Sequence, residues 1–397
     1  MLSDRVKEVQ ISQTVLIAGE AIKLKSEGVD LIDFSVGEPD FNTPDQIKEA
    51  GIAAIENNHT KYTINQGTKE LREAISAKLK RDNNLDYNSN EIIVSTGGKQ
   101  SIYNGIFTLV NPGDEVIIPS PYWVSYTSIV QLAGGKVIVL ETDESTGFKI
   151  TPEQLSSAIT PKTKLLILCN PSNPTGAVYL KQDLEKLAEI IVKNNIYVLS
   201  DEIYEKLIYD GNKFTSIASI DNEIKKRTIL VNGVSKSYAM TGWRIGYAAA
   251  SENIISAMNK LQSHTTSNAS SISQFAALKA LEVSQTVIDK MVDEFAKRRS
   301  FLYDSVISIE GIECYRSEGA FYLFPKVTSF LNTSTKNLKI TNSFDLAMYL
   351  LHEVHLAVIP GSGFGKEGYL RLSYSTSIEN LEEGARRLKS ALESLRK

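Results

Sequence analysis

Seven short apolar runs, each followed by a polar or glycine-rich patch, organise the chain up to about residue 250. They are Glu91–Ser95, Glu115–Pro119, Lys136–Leu140, Lys164–Cys169, Ile196–Ser200, Thr228–Val231 and Ile245–Ala249. Runs that are nearly continuous and rich in β-branched residues suit strands buried on both faces of a mainly parallel sheet. The stretches between them have helical spacing. In Gly67–Lys80, Leu71, Ala74, Ile75 and Leu79 share one face, with Lys and Glu on the other; Leu184, Leu187, Ile190 and Ile191 do the same in Leu180–Asn194. This alternation predicts an α/β domain with right-handed crossovers. From about residue 285 the pattern changes. A long charged helix over Val287–Ile307 leads to short strands near Phe321–Pro325, Ala357–Ile359 and Leu370–Ser373, and an amphipathic helix follows over Ile378–Leu395. A large domain over 46–285 is therefore expected beside a smaller α+β domain built from 286–397 together with 1–45.

Composition narrows the function classes. Among 397 residues, 43 Lys and Arg face 47 Asp and Glu, a net charge of −4, so no basic surface for nucleic acid is expected. Two cysteines make a disulfide framework improbable and fit a reducing compartment. The start, MLSDRVKEVQ, has no apolar core of signal-peptide length, and no run approaches the roughly 18 apolar residues of a membrane helix. A cytoplasmic protein without a membrane partner is the expectation.

In open α/β sheets, catalytic groups gather beyond the carboxyl ends of the strands. The residues at those positions here are Thr96 to Lys99, Ser120 to Trp123, Asn170 to Gly176, Asp201, Glu202 and Tyr204, and Asn232 to Lys236. Polar, aromatic and glycine residues thus converge on one edge. Taken singly, each has a plain reading beside the chemical one. Lys236 reads as a surface lysine, or as an amine of lowered pKa that forms a Schiff base with a carbonyl. Asp201 reads as a helix cap, or as the carboxylate that keeps a pyridine nitrogen protonated. Gly97 and Gly98 read as a turn, or as a helix start that binds phosphate. Trp123 reads as core, or as the flat partner of a cofactor ring.

Other patterns lead nowhere. A nucleotide-hydrolase phosphate loop would need Gly where Ile93 stands and Ser or Thr where Gln100 stands. Gly361-Ser-Gly-Phe-Gly365 precedes a strand instead of following one, so a dinucleotide fold is not indicated. His352 and His355 lack the spacing of the zinc-helix motif, and no metal site is expected.

Four segments carry a family resemblance: Ser35-Val-Gly-Glu-Pro-Asp-Phe41, Asn170-Pro-Ser-Asn-Pro-Thr-Gly176, Ser200-Asp-Glu-Ile-Tyr204 and Ser235-Lys-Ser-Tyr-Ala-Met-Thr-Gly-Trp-Arg-Ile-Gly246. With them in this order, the chain resembles the class I aminotransferases, fold-type I enzymes of pyridoxal 5'-phosphate, from about Leu2 to Leu395. Within that family it is most similar to the prokaryotic-type aspartate aminotransferases, subgroup Ib, which include members that also use prephenate. The resemblance implies the fold-type I transferase architecture, with a mainly parallel seven-stranded sheet and a smaller α+β domain. It implies that Lys236 is the lysine bonded to the cofactor and that Asp201 pairs with the ring nitrogen. Tyr204 and Asn173 would hydrogen-bond the phenolic oxygen, and Trp123 would stack on the ring. Arg244, the amides of Gly98 and Lys99, and Ser235 would hold the phosphate. Tyr62 would reach the phosphate of a neighbouring subunit, which implies a homodimer with shared active sites. Arg371, helped by Gly37 and Asn173, would hold the substrate α-carboxylate.

The substrate's distal group is read from one presence and one absence. Related enzymes take a second carboxylate with a partner-subunit arginine in a segment that corresponds to Ser263–Ser271, and that segment here contains no arginine. In subgroup Ib the lysine equivalent to Lys99 replaces it, so the resemblance favours a dicarboxylic substrate; the plain alternative is that Lys99 only raises the potential beside the phosphate. Thr14 matches a threonine that accompanies prephenate use. The resulting expectation is an aspartate:2-oxoglutarate aminotransferase, with prephenate as a further substrate. A carbon–sulfur lyase or an aromatic amino acid aminotransferase on the same fold stays open, because one fold hosts several chemistries on this cofactor. A cofactor-sensing regulator is disfavoured by the net charge and by the lack of room for a DNA-binding domain.

Overall fold

The computed structural model describes residues 3, 6, 7, 9, 12–334 and 338–395. A seven-stranded sheet forms its centre: β1 (Ile92–Ser95), β2 (Glu115–Ser120), β3 (Lys136–Glu141), β4 (Thr163–Cys169), β5 (Tyr197–Asp201), β6 (Thr228–Gly233) and β7 (Gly246–Ala249). Their spatial order is β1-β7-β6-β5-β4-β2-β3. Every neighbouring pair is parallel except the two that β7 makes, with β1 and with β6. The apolar runs were therefore strands of one mainly parallel sheet, and only the direction of β7 was invisible in them.

Side-chain alternation explains why the runs are continuous. Successive residues point to opposite faces, and both faces are covered. Val116, Ile118, Leu165 and Ile167 pack on one side with Ile102 and Ile106 of the helix α2 (Gly98–Leu109), whereas Ile117, Leu166 and Leu168 pack on the other with Leu184, Leu187 and Ile191 of the helix α3 (Lys181–Lys193). The edge strand β3 departs from the expected two-sided burial. None of its residues is fully buried and Val139 is exposed, whereas the opposite edge strand, β1, is buried throughout.

The helix α1 (Lys69–Asn83) begins at Thr68, whose hydroxyl accepts from the Leu71 amide. Its polar face is not wholly solvated, contrary to the helical reading of Gly67–Lys80. Lys78 lies three residues from Ile75 and seven from Leu71, on the apolar side, and is buried. Its ammonium donates to Asn83 Oδ1 at 2.8 Å and pairs with buried Glu205, whose Oε2 accepts from Asn83 Nδ2 at 2.8 Å. Replacing Lys78 by Met leaves the Glu205 charge buried without its cation, so Lys78→Met is expected to cost about 3–5 kcal/mol in urea unfolding at neutral pH. A loss below about 1 kcal/mol would mean that water replaces the ammonium.

The remaining chain builds a second sheet. The strands β8 (Tyr322–Leu323), β9 (Ile359–Pro360) and β10 (Leu370–Ser373) run antiparallel in the order β9-β10-β8. Two long helices, α4 (Gln285–Ile307) and α5 (Ile378–Ser394), pack with this sheet in one core that includes Phe295, Leu302, Phe321, Leu372 and Leu388. Ile32–Asp33 pairs in parallel with Leu356–Ala357, which ties the start of the chain to its end. Beside it, the fully buried ring of Phe34 occupies the space that a side chain at Gly384 of α5 would take.

Candidate active site

Where the two sheets meet lies a cavity of about 390 Å³. Of the thirteen residues singled out from the sequence, twelve line it: Thr14, Gly37, Gly98, Lys99, Trp123, Asn173, Asp201, Tyr204, Ser235, Lys236, Arg244 and Arg371. Tyr62 is the exception; it is 92 % exposed, in the loop before α1. Strand direction accounts for most of this convergence. Gly98 follows β1, Asn173 lies beyond β4, Asp201 ends β5, and Ser235 and Lys236 follow β6. Arg244 precedes its strand. Because β7 runs antiparallel to its neighbours, its start lies at the edge where theirs end. Reading the residues after each run could not have found this arginine.

Burial sets the electrostatics. Asp201 is 5 % exposed, and desolvation pushes its carboxyl up to about 6, against the hydrogen bond from Tyr126, which lowers it. Tyr126 Oη donates to Asp201 Oδ2 at 2.7 Å. Neither Tyr126 nor Cys169, which pairs with Asp201 across β4 and β5, was singled out from the sequence. A polar residue three positions after Trp123 was the available signal. The amine of Lys236 donates to the Gly37 carbonyl at 2.6 Å, and desolvation draws its pKa down to about 8 while the nearby Glu38 carboxylate opposes the fall. An amine with that pKa has a substantial neutral fraction at physiological pH, as a nucleophile or proton acceptor must.

Arg371 on β10 is 3 % exposed, yet no carboxylate among the described residues pairs with it. Its Nη1 donates to Asn173 Oδ1 at 3.1 Å and its Nη2 to the Ser35 carbonyl at 2.7 Å, while Nε is buried without a partner. A guanidinium taken out of water with neutral partners only is costly, and burial holds its pKa below the usual arginine value. It is a preformed site for an anion that arrives from outside.

The same cavity offers a second group suited to an anion. Gly97, at φ 80°, begins α2, and a side chain there would collide with the Arg244 guanidinium. Arg244 itself occupies the left-handed region at φ 56°, unusual for a residue with a Cβ. Its Nη1 donates to the Thr241 carbonyl at 2.9 Å. A helix start and a guanidinium brought together in this way form a cradle for phosphate. Lys99 lines the same cavity. Its ammonium lies 4.8 Å from the Trp123 ring centroid, and burial followed by the charge of Arg244 lowers its pKa. Thr14 lines the same cavity, and its buried hydroxyl has no hydrogen-bond partner among the described residues. The set as a whole fits a ligand with a carbonyl for Lys236, a basic ring nitrogen for Asp201 and a phosphate for Arg244 and the helix start.

Comparison with known proteins agrees with this geometry. Residues 29–388 match the family described as aminotransferase class I and II. Over 397 residues, covering all of both chains, the sequence is 48 % identical to the probable aspartate/prephenate aminotransferase of Rickettsia bellii. The crystal structure of the aspartate aminotransferase from Rhizobium meliloti superposes with a TM-score of 0.95 at 41 % identity, over 100 % of this chain and 99 % of that one. The aspartate aminotransferase of Thermus thermophilus with maleate gives 0.93 at 40 % identity, over 98 % and 99 %.

Proposed function

We propose that this chain, which belongs to the class I and II aminotransferase family, transfers the amino group of L-aspartate to 2-oxoglutarate with pyridoxal 5'-phosphate as its cofactor. The observation that carries the reading is that Lys236 and Asp201 share one cavity with a carboxylate-free, buried Arg371. When bound, the cofactor supplies an electrophilic carbonyl and a ring that accepts the electron pair left behind when Cα loses its proton. Lys236, with its amine near neutrality, takes that proton and returns it. Asp201 stays ionised beside the ring nitrogen and holds a proton there. Arg371 grips the α-carboxylate with its fork, in a geometry that a lysine could not reproduce. Because Asn173 Oδ1 is committed to Arg371, its Nδ2 remains to donate to the cofactor's phenolic oxygen beside Tyr204. Trp123 would stack on the ring, and Arg244, Ser235 and the amides of Gly98 and Lys99 would hold the phosphate.

Tyr62 serves the phosphate of a second copy in a homodimer; what supports this is a tyrosine left 92 % exposed and outside the chain's own cavity. The chain divides into a cofactor unit over 46–285 and a smaller unit of 1–45 with 286–397, a division supported by the pairing of Ile32–Asp33 with Leu356–Ala357. The names of the relatives support aspartate, and prephenate beside it, as substrates. Thr14, with its unpartnered hydroxyl, is the residue offered to prephenate.

Lys99 takes the distal carboxylate. Lys99→Ala is expected to lower kcat/KM for L-aspartate by about 30- to 5000-fold, the loss of a buried charge partner worth about 2–5 kcal/mol. The value for L-phenylalanine should stay within a few-fold. Equal losses on both substrates would return Lys99 to the phosphate. The reaction itself is tested by adding L-aspartate alone to the cofactor-loaded protein: stoichiometric oxaloacetate with conversion of the visible band is expected. No conversion with any amino acid would favour a lyase.

A further inference from the structure

Tyr322, unmarked by any sequence pattern, touches both halves of the proposed site. It lies on β8 and is fully buried, and its hydroxyl is 3.0 Å from that of Tyr204, which follows β5 from the other sheet. The two rings meet edge to face, at 79° with centroids 6.0 Å apart. The face of the Tyr322 ring carries the Arg371 guanidinium, 4.3 Å from its centroid. Burial raises the pKa of both hydroxyls, so each keeps its proton.

A tyrosine hydroxyl has one proton to give. Between two facing hydroxyls the hydrogen bond can run either way, and the two directions have different consequences. With Tyr204 as the donor, its proton points at Tyr322 and away from any ligand. With Tyr322 as the donor, the proton of Tyr204 is released to point into the cavity. We propose that Tyr322 is a positioning residue that acts on both ligands: its hydroxyl donates to Tyr204 and so aims the Tyr204 proton at the cofactor's phenolic oxygen, while its ring face holds Arg371 in line with the substrate carboxylate. The inference rests on the roles given above to Tyr204 and Arg371. Hydrogen bonds in such a chain polarise one another, so the Tyr204 bond to an ionised oxygen is strengthened by the one behind it.

Hydroxyl and ring separate cleanly by substitution. The holoenzyme variants Tyr322→Phe, Tyr322→Leu, Tyr204→Phe and the double variant Tyr204→Phe/Tyr322→Phe are compared by pH titration of the bound cofactor's visible absorption and by KM for L-aspartate. When the phenolic oxygen loses stabilisation, a proton shared with it is held more tightly, and the midpoint rises. Tyr204→Phe is expected to raise it most. Tyr322→Phe should raise it by a few tenths of a pH unit with KM nearly unchanged, and should add nothing in the Tyr204→Phe background. Tyr322→Leu should add a rise in KM of about 10-fold, as the desolvated ring contact to Arg371 is lost. A midpoint unmoved in Tyr322→Phe while Tyr204→Phe moves it, or additive shifts in the double variant, would overturn the aiming of Tyr204. Equal KM values for Tyr322→Phe and Tyr322→Leu would overturn the support of Arg371. If Tyr204→Phe leaves the titration unmoved, the role of Tyr204 itself fails, and Tyr322 has nothing to aim.

Discussion

Lys236→Ala is expected to lower the turnover of L-aspartate with 2-oxoglutarate by 10⁴-fold or more. A positioned general base contributes roughly 10²–10⁴-fold, and here the same amine is also the proposed attachment point of the cofactor, so both contributions vanish together. Lys236→Arg should be nearly as inactive. It restores the positive charge, but a guanidinium keeps its proton at every accessible pH and can neither attack a carbonyl nor accept from Cα. The pair thus separates chemistry from electrostatics. The fold should tolerate both changes, since among the described residues the amine makes one hydrogen bond, to the Gly37 carbonyl. Steady-state kinetics, with cofactor content and thermal unfolding measured alongside, decide the matter. A loss smaller than about 10-fold in a folded, cofactor-loaded variant would remove Lys236 from the reaction.

Arg371→Leu is expected to move activity and stability in opposite directions. Without the guanidinium, the α-carboxylate of every amino acid substrate loses its proposed forked partner, and kcat/KM should fall by about 30- to 5000-fold, the 2–5 kcal/mol of a buried hydrogen-bonded charge pair. The loss should be the same for L-aspartate and L-phenylalanine, unlike that of Lys99→Ala. The free protein, however, holds Arg371 among neutral partners with Nε unsatisfied. An apolar side chain there relieves a buried, unpaired charge, so urea unfolding without ligand should show equal or greater stability. A binding residue that costs stability is what a site built for an absent anion predicts. A marked destabilisation of Arg371→Leu would mean instead that the arginine is a structural bridge between Ser35 and Asn173.

The architecture was legible in the pattern of apolar positions, because a strand buried on both faces leaves no room for polar residues. The seven runs are the seven strands, and the residues after most of them line one cavity. The helices over Leu180–Asn194 and Ile378–Leu395 differ from the observed Lys181–Lys193 and Ile378–Ser394 by a residue or two at their ends. Two local readings failed for identifiable reasons. The run Lys136–Leu140 read as a strand buried on both faces but is partly exposed, and composition alone does not reveal what covers the faces of a strand. Lys78 belonged by spacing to the apolar side of its helix, but its burial depends on Glu205, 127 residues away.

Sequence alone therefore determined the element types, the α/β class and the set of polar residues placed to react. The element types, the class and the residues beyond the strand ends follow from local periodicity and from the rule that loops after parallel strands share an edge. Thr14, Gly37, Tyr62, Arg244 and Arg371, by contrast, were reached only through the family resemblance. Tertiary structure alone decided the rest. It turned β7 around, so that Arg244 reaches the site from the start of a strand, and it brought β8 and β10 against the first sheet, so that Tyr322 and Arg371 meet Tyr204 and Asn173. It also set the charges, since the raised carboxyl of Asp201 and the lowered amine of Lys236 both arise from burial. Desolvation is a property of everything packed around a group, and no window of sequence contains it.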